Sequence, residues 1–134
     1  MRTGPFVMAK SVVSLLFALA LGLFPAAFLG FLGMSTEPTA LVLGRLVAAF
    51  LVGTAAGCWF LRGEAGTRLG RGMLLAFFVQ DSLSTLMLLW GQLSGSVNAW
   101  GWAIVTVCAL FAIGVGYLRF AAPAEARSAA VPSV

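Results

Sequence analysis

The stretch 73–92, MLLAFFVQDSLSTLMLLWGQ, decides the fold, because it is a long apolar run with Asp81 near its middle. A run of about 18 or more apolar residues indicates a membrane-spanning helix. An acidic side chain in the middle of a bilayer is costly unless another group compensates it. We therefore expect a basic partner in another span, and Arg45 is the basic residue that falls well inside another apolar run.

The composition extends this interpretation to the whole chain. Of the 134 residues, 61% are hydrophobic and only 9% are charged, and the mean hydropathy is +1.05. A typical soluble domain has roughly 25% charged residues. Too few polar side chains are present to cover a water-exposed surface, so we expect most of the chain to lie in lipid.

The apolar runs predict an all-α integral membrane protein, folded as an up-down four-helix bundle. Pro25 lies inside the first run, and proline removes a helix hydrogen bond, so we expect a kink near Gly22–Pro25. The sequence after the fourth run is small, aperiodic and proline-containing, which is typical of a disordered tail. The expected spans cover residues 11–34, 38–61, 71–91 and 98–120, and the expected tail covers residues 121–134.

The charge distribution predicts the orientation. The formal net charge is +4, but no basic run with interleaved aromatic residues suggests nucleic-acid binding. The two loops around Glu37 and Ser94 contain no Lys or Arg. By the positive-inside rule, both termini and the middle loop are then cytoplasmic. The basic residues counted for that side are Arg2, Lys10, Arg62, Arg68, Arg71, Arg119 and Arg127.

The predicted Arg45–Asp81 pair has several interpretations. Each charge at a helix centre costs about 2.5–3.5 kcal/mol on insertion scales, so the two side chains are expected to face each other inside the bundle. One hypothesis is a structural salt bridge between the second and third helices. Another is an outward-opening pocket, in which Arg45 holds an anionic group and Asp81 exchanges a proton. A third hypothesis is that Arg45 contacts a partner protein or a lipid headgroup.

Further candidate residues lie on the same two helices. On a helical wheel, Ser84, Thr85 and Gln92 fall near Asp81 and form a polar stripe, which predicts ligand or ion-pair contacts. Gly53 and Gly57 have the spacing of a GxxxG motif, in which small residues let helices approach closely. Since Gly53 shares the face of Arg45, we expect that face to pack on protein.

The sequence offers little support for catalysis. It has no histidine, and Cys58 and Cys108 lie apart in apolar runs, where packed thiols are expected. We find no nucleophile–base set, no phosphate-binding loop and no metal-ligand spacing, and we predict neither a cofactor nor a metal site. The sequence therefore favours a role other than that of an enzyme, without deciding the question.

The segments Gly44-Arg45-Leu46-Val47, GQLSG at 91–95 and NAWGW at 98–102 resemble those of small four-span bacterial membrane proteins of the DoxX-like kind. This resemblance implies a four-helix membrane fold. Some relatives of that kind serve as membrane subunits of quinone-linked oxidoreductases. The resemblance supplies no catalytic residue at any position of this chain.

The favoured functional hypothesis is a non-catalytic accessory or assembly subunit in a bacterial inner membrane, which docks on a partner membrane protein or on itself. The alternative is a minimal carrier or channel for a small solute that passes the Arg45–Asp81 pocket. A third hypothesis is a subunit that binds a quinone or another lipid-like ligand between its helices.

Overall fold

The computed structural model of the protein describes residues 3–121, and every regular element in that range is a helix. Four helices are long and apolar enough to cross a membrane, as expected of a multi-pass membrane protein. The elements in chain order are α1 (Thr3–Leu23), α2 (Pro25–Phe31), α3 (Pro38–Glu64), α4 (Arg68–Leu93) and α5 (Gly101–Gly116), which continues into a π-helical turn (Tyr117–Ala121).

The first apolar run forms two helices. The chain leaves helical geometry at Phe24, with φ −128° and ψ 52°, and Pro25 starts α2. Proline lacks the N–H that would continue α1, so the break falls where the sequence predicted a kink. Helix α1 begins at Thr3, well before the predicted start at residue 11. The predicted tail, apart from Ala121, lies outside the described residues.

Local signals fix the starts of α3 and α4. Glu37 is extended, and Pro38 occupies the first position of α3, where its missing N–H costs nothing. Thr67 caps α4, because its Oγ1 accepts a hydrogen bond from the backbone N–H of Gly70 at 3.0 Å.

The helices pack unevenly. Helix α1 lies along α3, and α4 lies along α5, whereas α3 and α4 contact each other over a much shorter length. Glycine permits some of the close approaches. A Cβ added to Gly57 on α3 would lie 2.9 Å from the ring of Phe77 on α4, and one added to Gly114 on α5 would collide with the ring of Phe6.

A main apolar core fills one end of the bundle. Its residues lie at the beginning of α1, at the end of α3, at the beginning of α4, and from the end of α5 into the π-helical turn. Its buried members are Val7, Cys58, Leu61, Leu74, Phe77, Val115 and Leu118. A smaller core, made of Leu21, Leu29 and Ala48, joins α1, α2 and α3.

The outer surface of the bundle is apolar. Large side chains such as Phe60, Trp90 and Ile113 are at least 70% exposed, and many other apolar side chains accompany them. A soluble monomer rarely exposes a continuous apolar surface of this extent. Such a surface is expected where a helix bundle is surrounded by lipid.

Candidate functional site

Asp81 is paired with Lys10. The ammonium Nζ of Lys10 on α1 donates a hydrogen bond to Oδ1 of Asp81 on α4 at 2.7 Å, and the two side chains are only 3% and 8% exposed. The ammonium also lies 4.9 Å from the ring centre of Phe111 and 5.8 Å from that of Phe77. Aromatic faces attract cations at such distances. The charge is therefore held by one carboxylate oxygen and two rings.

The second carboxylate oxygen has no such partner. Oδ2 of Asp81 is buried, and no residue of the described chain forms a hydrogen bond with it. An ionised carboxylate can accept several hydrogen bonds, and a buried acceptor without a partner is costly. The Lys10 ammonium thus has one hydrogen bond and two aromatic neighbours, whereas Oδ2 of Asp81 has no hydrogen bond from the described residues.

Two more links lie at the level of the ion pair. Ser11 donates to the backbone oxygen of Ala55 at 2.7 Å, which ties α1 to α3. Gln80 donates to Oγ1 of Thr54 at 3.0 Å, which ties α4 to α3. We call the set Lys10, Ser11, Thr54, Gln80 and Asp81 the polar layer. It joins three helices by side-chain hydrogen bonds in the middle of the bundle.

The predicted partner of Asp81 was Arg45, but Asp81 pairs with Lys10 instead. Arg45 is exposed on the outside of α3, and no residue of the described range forms a salt bridge with it. The prediction assigned Lys10 to a basic segment before the first span. Because α1 begins at Thr3, Lys10 instead lies about two turns inside a helix and reaches Asp81.

The other predicted site residues lie in different parts of the structure. Ser84 lies on the same wall as Asp81, in the cavity described below. Thr85 donates to the backbone oxygen of Asp81 at 2.7 Å, within α4. Gln92 donates to the backbone oxygens of Val97 and Asn98, in the loop after α4, away from the ion pair.

The two predicted packing glycines also differ from each other. Gly57 lies against Phe77, as described above, whereas a Cβ added to Gly53 would meet nothing within 4 Å. The face that Gly53 shares with Arg45 is exposed, so the expectation that this face packs on protein stays a prediction.

A cavity of about 600 Å³ begins at the polar layer and extends toward the loops that precede α3 and α5. Its walls come from all five helices and are almost entirely apolar. Lys10, Asp81, Thr54 and Gln80 lie at its inner end. The apolar lining includes Phe17, Leu21, Leu29, Leu32, Leu51, Leu88, Ile104, Val107 and Phe111.

The cavity opens sideways between α3 and α4. Leu43 and Val47 on α3 and Met87 on α4 line it, yet the same three side chains are about half exposed or more on the outside of the bundle. These residues belong to two helices that contact each other over a much shorter length than α1 and α3 or α4 and α5 do. The opening therefore faces the region that lipid chains would occupy.

The outer end of the cavity is held together by Asn98. Its side-chain Nδ2 donates to the backbone oxygen of Phe31 at 2.7 Å, and its backbone N–H donates to that of Leu32 at 2.9 Å. The rings of Phe31 and Trp100 also lie 5.2 Å apart. These contacts join the end of α2 to the segment before α5, beside the cavity residues Met34 and Val97.

Sequence reasoning missed most of the polar layer. One signal for Lys10 was available, since Lys10, Ser11 and Ser14 lie on one face of a helix and Pro5 suits a first turn. Thr54 and Gln80 gave no such signal, because single polar residues in apolar runs do not identify their partners.

Apolar side chains and a few polar groups line the cavity. No group of histidine, cysteine, aspartate or glutamate side chains suitable for a metal ion occurs in residues 3–121. Cys108 lines the cavity, and Cys58 is buried in the main core, so the two thiols occupy different surroundings. An apolar cavity with a few convergent polar groups is the usual form of a small-molecule site.

No family model, no curated protein and no solved structure matches this chain. The DoxX-like resemblance therefore stays a prediction.

Proposed function

We propose that this protein is a membrane protein that binds a lipid-like molecule in the cavity between its helices. One observation carries the proposal: an apolar cavity of about 600 Å³ ends at a buried ion pair and opens between α3 and α4. Sites for small molecules typically measure about 300–1,000 Å³. A molecule with a long apolar part matches the lining, and it can enter from the bilayer without crossing water.

A lipid-like ligand fits the closed end of the cavity better than a carrier or channel does. A solute that crosses the membrane needs a polar route on both sides of the polar layer. On the side away from the cavity, the main core is closed by buried apolar side chains, including Leu61 and Phe77. That core supports a ligand that enters and leaves on the same side.

We further propose an up-down bundle with both termini in the cytoplasm of a bacterial cell, the protein lying in the inner membrane. Arg62, Arg68 and Arg71 lie at the junction of α3 and α4, and Arg119 lies near the end of the described chain. The loops beside the outer end of the cavity carry Glu37 and no Lys or Arg. By the positive-inside rule, the cavity then lies in the half of the bilayer away from the cytoplasm.

A second candidate function is an accessory or assembly subunit of a membrane complex. The exposed face of α3 carries small residues at helical spacing, namely Ala49, Gly53 and Ala56, and the space above Gly53 is open. Small residues on an open helix face are typical of helix–helix contacts in membranes. A partner membrane protein or a second copy of this chain fits that face, and ligand binding does not exclude such docking.

Ligand retention tests the main proposal. The protein is reconstituted in vesicles that contain a C16 hydrocarbon-chain probe, released gently and measured by native mass spectrometry. Ser84→Phe fills the cavity, and Leu83→Phe is the matched control, because Leu83 is 53% exposed and does not line it. We expect the wild type and the control to retain the probe and Ser84→Phe to lose most of it. Equal retention by all three proteins would contradict the proposal.

A further inference from the structure

The unequal hydrogen bonding of Lys10 and Asp81 indicates which chemical group the ligand carries at its polar end. The Lys10 ammonium already has Asp81 Oδ1 and the faces of Phe77 and Phe111 as neighbours. Oδ2 of Asp81 is buried and accepts no hydrogen bond from the described residues. The atom of the pair that has no hydrogen-bond partner is therefore an acceptor with negative charge. It favours a hydrogen-bond donor and disfavours an anion.

The carboxylate lies in the wall of the cavity and has the freedom to use this capacity. Asp81 lines the inner end of the cavity, and the last torsion of an aspartate side chain is soft. Rotation about this torsion would turn Oδ2 toward a ligand in the cavity. Because charge-assisted hydrogen bonds are the stronger ones, a donor placed there gains more than it would at a neutral acceptor.

Two serine hydroxyls near the ion pair are further partners for a ligand hydroxyl. Ser14 lies one turn beyond Lys10 on α1, and Ser84 lies one turn beyond Asp81 on α4, and both line the cavity. A ligand hydroxyl both donates and accepts, so it can donate to the carboxylate and accept from a serine. An ether, an ester or a hydrocarbon end lacks the donor, and a carboxylate or phosphate end adds a second negative charge.

From this geometry, and on the basis of the proposed function, we infer that the ligand is a long-chain apolar molecule with a hydroxyl end, which donates its hydrogen bond to Asp81. The hydrocarbon part fills the apolar cavity, and the hydroxyl reaches the polar layer. The inference concerns only the polar end, so it can fail while cavity binding stands.

Three probes of equal chain length test it in the wild-type protein: 1-hexadecanol, hexadecyl methyl ether and hexadecanoate. Each is present in the vesicles at the same mole fraction, and retention is measured by native mass spectrometry. We expect the alcohol to be retained about tenfold more than the ether, the effect of one hydrogen bond to a charged group. We expect hexadecanoate to be retained no better than the ether.

The double variant Lys10→Met/Asp81→Leu removes both charges and leaves no charge unpaired, and apolar replacement of a buried pair is often tolerated. It should retain the alcohol and the ether equally. Thr106→Val is the control, because Thr106 is an exposed hydroxyl residue on α5 that does not line the cavity. The control should keep the tenfold preference.

The outcomes distinguish the two proposals. Equal retention of alcohol and ether by the wild type overturns the hydroxyl inference but supports cavity binding. Stronger retention of hexadecanoate also overturns it, since the site would then be one for anions. If the folded double variant still prefers the alcohol to the ether, Asp81 is not the acceptor of the ligand's hydrogen bond. If no probe is retained, both proposals are wrong. The comparison of probes in the wild type decides the inference even if the double variant does not fold.

Discussion

Lys10 on α1 and Asp81 on α4 form a buried ion pair of 2.7 Å, and this pair links α1 to α4. Helix α1 packs along α3, and α4 packs along α5, so the pair joins one packed couple of helices to the other. It also forms the inner end of the cavity. One contact thus contributes to assembly and to the proposed binding site.

The first prediction concerns the stability of this pair. Lys10→Met or Asp81→Leu alone should lower the free energy of unfolding by about 3–5 kcal/mol, because each leaves one buried charge without its partner. The double variant should come within about 1 kcal/mol of the wild type, because neither charge remains. Unfolding by a denaturing detergent, followed by circular dichroism, measures the differences.

Arg45→Met is the matched control for those variants. Arg45 is exposed and belongs to no salt bridge of the described chain, so its loss should change the free energy of unfolding by less than about 0.5 kcal/mol. A large loss of stability in Arg45→Met, together with wild-type stability of Lys10→Met, would restore Arg45 as the partner of Asp81.

The second prediction compares two glycines of α3. Gly57→Ala should destabilise the protein by about 1 kcal/mol, because the new Cβ would lie 2.9 Å from the ring of Phe77, which then has to move. Gly53→Ala meets open space and gains helix propensity, so it should be neutral or stabilising by up to ~1 kcal/mol. The same unfolding assay applies, and the reverse order of the two variants would show that the packing of α3 is different.

The third prediction concerns entry of the ligand. Met87 is 68% exposed and lines the cavity at its opening, so Met87→Trp should narrow the passage. We expect exchange of a bound C16 probe to slow several-fold, with a smaller change in the amount bound at equilibrium. Leu86→Trp is the control, since Leu86 is 57% exposed and lies outside the cavity lining. Equal exchange rates in the two variants would argue against entry between α3 and α4.

The fourth prediction concerns the outer end of the cavity. Asn98→Ala removes the hydrogen bond to the backbone oxygen of Phe31 and the one accepted from the N–H of Trp100. The free energy of unfolding should fall by about 1–2 kcal/mol, since each bond contributes roughly 0.5–1.5 kcal/mol. Ser96→Ala, in the same loop, removes only an exposed contact between two hydroxyls and should have a smaller effect. A larger effect of Ser96→Ala would contradict this account of the loop.

The sequence predicted the helical class because long apolar runs are a strong signal that needs no tertiary information. The break at Pro25 was predictable for a similar reason, since the missing N–H acts locally. The importance of Asp81 was also clear, because an acid inside an apolar run requires compensation.

The partner of Asp81 was not predictable in the same way. The sequence offers two candidates, and the choice depends on where α1 begins and which way each helix face points. The expected span begins at residue 11, just after Lys10, whereas α1 begins at Thr3, and Arg45 was favoured because it lies deeper in its run. The cavity gave no signal, since its lining consists of ordinary apolar residues whose spacing depends on how the helices pack.

Photolabelling tests whether a lipid-like molecule occupies the cavity. A C16 alcohol with a photoreactive group along its chain is added to vesicles that contain the protein, and the labelled residues of α5 are mapped by mass spectrometry. Val107 lines the cavity, whereas Leu110 is 60% exposed and does not line it. We expect saturable labelling at Val107 that excess 1-hexadecanol prevents, and non-saturable labelling at Leu110. Labelling at Leu110 alone, or labelling at Val107 that hexadecanol does not reduce, would show that no such molecule binds in the cavity.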